Sequence, residues 1–162
     1  MAERVLEVQR RFDPRMVAEL PPHITIAGSS GMGPIHPSTT DDEIRAALAG
    51  VAAATQRMTV VLEAPMQFMQ SSVVVMQINP NGAIRALHER IKSAGLPYEQ
   101  PRFTFTPHLT LSFYPQLTRE KLRELRAFRI GEPLVIDAIQ AYRAVDITRT
   151  VKIADLPLTC SE

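Results

Sequence analysis

Two short strings carry the chemistry this chain can do. Residues 21–26 read Pro-Pro-His-Ile-Thr-Ile, and residues 106–111 read Thr-Pro-His-Leu-Thr-Leu. Proline, histidine, an aliphatic residue, threonine and a second aliphatic residue recur in one order, about half of the 162-residue chain apart. Two imidazoles and two hydroxyls suit displacement at phosphorus. Imidazole ionises near ~6.5, so one histidine can take a proton from an attacking oxygen while the other protonates the leaving oxygen. Each threonine can donate to a non-bridging phosphate oxygen, where charge builds in the transition state. That set needs no metal and no other cofactor.

Alternation along a strand decides which side chains share a face. His23 and Thr25 fall on one face, with Ile24 and Ile26 on the other. His108, Thr110 and Ser112 likewise oppose Leu109, Leu111 and Phe113. The apolar face asks for a covering element, and the polar face is left for a groove. One such string would be an ordinary strand start. Two copies with matching facial logic, at half-chain spacing, suggest a module built twice, each half supplying half of a site.

The elements that must position these strings follow in order. Residues 4–10 alternate loosely and read as a first strand, ended by Phe12-Asp13-Pro14. His23 to Ala27 reads as a strand, and residues 29–34 as a loop. Thr40-Asp41-Asp42-Glu43 is a capping box that opens a helix through Thr55. Residues 59–62 and 72–78 are strand-like. Asn79-Pro80 opens a helix that closes at Gly95. Residues 103–113 form a strand broken by Pro107, Thr118 caps a short helix, and residues 134–145 and 151–156 close the chain as strands. The order β, β, α, β, β, α, β, α, β, β points to an α+β fold over residues 1–162 as a single domain.

Composition sets the bounds. The chain is 45% hydrophobic and 22% charged with a formal net charge of +1, so nothing calls for general affinity to long nucleic acid or a membrane. A slight excess of acids in the first half gives way to a slight excess of bases in the second, which suits a small anionic ligand. A single cysteine, Cys160, cannot form an intramolecular disulfide, and it is a poor candidate for a catalytic nucleophile because terminal residues are usually badly ordered. No signal peptide and no span of ~20 apolar residues is read, so a cytoplasmic location is expected. His88 falls on the apolar stripe of its helix and reads as a packing residue. His36, in a proline-rich loop, reads as solvated. Neither sits where zinc, with its usual three protein ligands, would want it beside the motifs. The basic residues of 119–129 are interleaved with Glu120 and Glu124 and read as a solvated face.

Pro22-His23-Ile24-Thr25-Ile26 and Pro107-His108-Leu109-Thr110-Leu111 resemble the paired signatures of the 2H phosphoesterase superfamily, which comprises 2′-5′ RNA ligase-like proteins and 2′,3′-cyclic-nucleotide phosphodiesterases. Phe68, ahead of Val73-Val74-Val75, is similar to the aromatic that often precedes the family's middle strand. The resemblance implies a bilobal α+β fold of two pseudo-symmetric lobes with a central groove. It implies His23 and His108 as the acid/base pair and Thr25 and Thr110 as phosphate donors. It also implies that Phe68, Tyr142 and Arg143 contact substrate, the last two being adjacent in a strand and so facing oppositely. The expected partner is a nucleotide or RNA end bearing a 2′-linked or cyclic phosphate, handled by a monomer without membrane. Hydrolysis is the first expectation. Reversible 2′-5′ ligation and a non-catalytic nucleotide-binding module are the alternatives.

Overall fold

The computed structural model describes residues 2–68, 71–113, 117–145 and 149–160. Among them five helices and seven strands mix in an α+β arrangement, with antiparallel pairing in the three-stranded sheet and in the longer two-stranded one. In chain order they are α1 (Ala2–Phe12), α2 (Pro14–Glu19), α3 (Asp41–Ala53), β1 (Met58–Val60), β2 (Met66–Gln67), β3 (Val74–Gln77), α4 (Ala83–Lys92), β4 (His108–Ser112), α5 (Arg119–Ala127), β5 (Leu134–Ile136), β6 (Ala138–Ala144) and β7 (Thr150–Pro157). Strands β2-β3-β4 form one sheet, and β1-β5 and β6-β7 form two-stranded sheets. No helix of the described residues is long and apolar enough to cross a membrane.

The backbone gathers into two compact units, each built from three segments. The first comprises Met1–Thr25, Val60–Asn79 and Pro107–Leu134; the second comprises Ile26–Thr59, Pro80–Thr106 and Val135–Glu162. The division therefore does not follow the two halves of the chain. Both His-x-Thr strings fall in the first unit.

In the first unit the expected opening strand is a helix. Val5, Gln9 and Asp13 are buried four residues apart, which is a helical repeat and not a period of two. Good helix formers (Glu3, Arg4, Leu6, Glu7) surround Val5, and too few β-branched residues are present to favour extended backbone. Helix α1 packs against β4 and α2. Asp13 then caps α2, accepting from the Met16 N–H at 3.1 Å, with Pro14 at the first helical position.

In the second unit, α3 packs on β6 and β7 and beside α4. Ile44, Leu48 and Val51 face Ile84, Leu87 and Ile91 within one cluster that includes Ala141, Ile153 and Leu158. The capping box of α3 is formed: Thr40 Oγ1 accepts from the Glu43 N–H, and Glu43 accepts from the Thr40 N–H at 2.8 Å. The Thr40 N–H and then the Thr40 hydroxyl, both donating to the carboxylate, hold Glu43 below its usual range. Helix α4 starts at Ala83, later than the Asn79-Pro80 signal suggests, with Gly82 at φ +71° as its N-cap.

His88 is a packing residue, 2% exposed and 4.0 Å from the Phe105 ring by centroids. Burial pushes its imidazole below the usual range; a hydrogen bond with Glu89 opposes this, while Arg85 and Lys92 add to it. The unfolded chain takes up a proton near ~6.5 that the folded chain resists. The contribution of neutral His88 is therefore complete above that pH and is lost as pH falls towards the lowered folded value. Thermal unfolding is expected to show a steeper loss of Tm between about pH 7.5 and 5 for the wild type than for His88→Leu. Equal slopes would remove His88 as the cause.

Candidate active site

Strand β4 holds the second string with its apolar residues inward. Leu109 and Leu111 are buried at 2% and 0% exposure, while His108 and Thr110 remain partly exposed. The alternation then breaks. Val75 pairs with Thr110 but Val74 pairs with Ser112, so Leu111 is an extra residue on β4. A bulge of this kind shifts the facing of everything beyond it. Ser112 therefore turns inward, fully buried, and donates to Asp13 Oδ2 at 3.3 Å, while Phe113 is 55% exposed. This corrects the expectation that Ser112 shares the polar face and Phe113 the apolar one. Asp13 Oδ2 also accepts from the Phe113 N–H at 2.7 Å, which ties the start of α2 to the end of β4.

The first string is not a regular strand. It meets β4 through one antiparallel bridge, Ile24 to Leu109. That bridge brings the two strings side by side, and His23 and Thr110 line one recess together with Gln9, Met16, Leu20 and Pro21. His23 and Thr25 are exposed, so the polar face is open.

The two imidazoles are held differently. His23 Nδ1 lies 2.8 Å from the Pro21 carbonyl oxygen. A carbonyl only accepts, so Nδ1 carries the hydrogen and Nε2 is left to exchange a proton. The proline pair before the motif thus fixes the tautomer as well as the chain direction. His108 meets Phe68 edge to face, with centroids 4.9 Å apart and planes at 83°. Phe68 is itself fixed by its N–H to the Val73 carbonyl at 3.0 Å, in the connection between β2 and β3.

A family model for the 2′-5′ RNA ligase superfamily matches residues 1–145. The chain belongs to the 2′-5′ RNA ligase superfamily. This is the superfamily of 2H phosphoesterases, and the match spans both strings together with Phe68, Tyr142 and Arg143. A search of curated proteins returns no match to the chain.

The superfamily member's other candidates lie in the second unit, on β6. Tyr142 donates its hydroxyl to Gln140 Oε1 at 2.9 Å, and Gln140 in turn donates to Asp155. Arg143 faces the other way, donating to Asp41 Oδ1 through Nε at 2.9 Å and through Nη2 at 2.7 Å, and to the Thr39 carbonyl. The opposite facing expected of neighbours in a strand holds, and Arg143 ties β6 to the start of α3. His36 is exposed and engages Ser38 through Nδ1 at 2.7 Å. Among the described residues, no group of three or more His, Cys, Asp or Glu is placed to hold a metal.

Two residues beside the strings, Asp13 and Gln9, differ in how far the sequence marks them. Asp13 carried a signal, since an aspartate before proline is a helix-cap pattern. Gln9 carried none while residues 4–10 read as a strand.

Proposed function

We propose that this chain is a metal-independent phosphoesterase that opens 2′,3′-cyclic phosphates, or cleaves 2′-5′ phosphodiesters, of nucleotides or RNA ends. The observation that carries the reading is the Ile24–Leu109 bridge. A bridge between the two strings supports reading their histidines as acid and base and their threonines as hydroxyl donors of one site.

In that mechanism one imidazole takes a proton from water as the water oxygen bonds to phosphorus. The other gives its proton to the ribose oxygen as the P–O bond to that oxygen breaks. Thr25 and Thr110 donate to the non-bridging oxygens, where charge grows. His23 exchanges its proton through Nε2, the nitrogen left open by the Pro21 carbonyl. Phe68 sets the plane of His108 and contacts substrate. The family's bilobal, groove-centred form is proposed on membership alone. Ligation is the same displacement with a ribose hydroxyl in place of water, and the superfamily's name supports it as the second reading.

The test is turnover of nucleoside 2′,3′-cyclic phosphates, 2′-5′ dinucleotides and cyclic-phosphate-ended oligomers in the presence of chelator, with the product's phosphate position identified. Conversion to one monophosphate isomer at undiminished rate is expected. Loss of all turnover on chelation would sink the mechanism. Tight binding with no product would leave a binding module instead.

A further inference from the structure

Gln9 is a buried polar side chain, 3% exposed, on the face of α1 that meets β4. Its Nε2 donates to the Thr110 carbonyl at 2.7 Å. Because that carbonyl can only accept, the bond fixes which end of the amide is nitrogen and turns Oε1 elsewhere. Oε1 is buried and has no hydrogen-bond partner among the described residues. Gln9 also lines a recess together with Met16, Leu20, Pro21, His23 and Thr110. An amide carbonyl left unpaired beside an imidazole and a threonine is a waiting acceptor. Most buried carbonyls are satisfied, so this one marks the place of a donor that the described residues do not provide.

We propose that Gln9 Oε1 accepts a hydrogen bond from the ribose hydroxyl next to the phosphorylated oxygen. The assignment rests on the phosphoesterase reading and deepens it. When the cyclic ester opens, the leaving ribose oxygen gains its proton from an imidazole and becomes that hydroxyl. The acceptor is then filled as the P–O bond breaks, so the contact favours the opened product side over the closed ring. The side chains of Met16, Leu20 and Pro21 offer the hydroxyl no acceptor. The recess therefore selects for a ribonucleotide with a free vicinal hydroxyl and against its deoxy counterpart.

Two ligand pairs test this by direct binding. One is a nucleoside 2′-monophosphate against its 3′-deoxy analogue; the other is a nucleoside 3′-monophosphate against its 2′-deoxy analogue. Wild type is expected to prefer the hydroxyl-bearing member of at least one pair by about tenfold, the usual scale for pairing an otherwise unsatisfied buried group. Gln9→Met is expected to bring that ratio close to one while affinity for inorganic phosphate is kept. Gln9→Leu serves if the methionine variant does not fold, and the wild-type ratio needs no variant. Equal binding within both pairs, with turnover of the cyclic nucleotide intact, overturns the Gln9 assignment alone. A preference that survives both substitutions does the same. Failure of every nucleotide to bind, together with no turnover, overturns the assignment along with the proposed function.

Discussion

His23→Ala and His108→Ala are each expected to lower kcat on a 2′,3′-cyclic nucleotide by about two to four orders of magnitude, the range for removing a positioned acid or base. This corresponds to roughly 3 to 5 kcal/mol of transition-state stabilisation. His23 is exposed, so its loss is expected to leave stability within about 0.5 kcal/mol. Loss of His108 removes the edge-to-face contact with Phe68 and is expected to cost about 1 kcal/mol. Neither change in stability approaches the change in rate, so unfolding cannot imitate the result. His23→Gln sharpens it: an amide can hydrogen-bond near the Nε2 position but cannot carry a proton, so its kcat should fall as far as that of alanine. The double variant should lose little beyond the worse single one, because acid and base act in one step. A kcat within tenfold of wild type for either single variant would remove that histidine from the proton-transfer path.

The motifs could be read from sequence because their logic is local. Alternation over five residues places Leu109 inside and His108 and Thr110 outside without knowledge of any neighbour. The capping box at Thr40 and Glu43 was equally legible, since both partners lie within one turn. What failed to show depended on distant chain. The alternation of residues 4–10 fits a strand template as well as a helix, and only β4, a hundred residues on, explains why Val5 and Gln9 are buried together. The bulge at Leu111 is fixed by how many residues β3 offers opposite β4, which β4 alone cannot reveal. The meeting of the two strings rests on the Ile24–Leu109 bridge, between residues far apart in sequence. Repetition in sequence suggested two halves each giving half a site, yet both strings sit in the first unit. Arg143 has the composition of a phosphate ligand, and only the fold shows its guanidinium forked onto Asp41.

Gly33→Ala is expected to be the most damaging single substitution outside the site. Gly33 has φ +86°, a region where a Cβ is already strained, and a Cβ built there would lie 1.9 Å from the Glu99 carbonyl oxygen. The neighbour is backbone, so no rotamer change relieves the contact. Nor can the two segments part easily. The Glu99 N–H donates to the Pro34 carbonyl at 2.9 Å, the His36 N–H to Pro97 at 2.8 Å, and the Gly31 N–H to Phe103 at 2.9 Å. Relieving the collision means breaking several of these bonds, a loss of about 4 kcal/mol or more. For a chain of this length that is a fall in Tm of roughly 10 °C. Gly50 provides the opposite case. It lies in α3, is exposed, and has nothing within 4 Å of an added Cβ. Gly50→Ala removes only the entropic cost of glycine in a helix and is expected to stabilise by about 0.5 to 1 kcal/mol. Thermal unfolding of the two variants in parallel separates close packing from conformational freedom. A Gly33→Ala protein that melts with the wild type would mean that residues 29–36 do not pack on 97–103 in solution as they do in this fold.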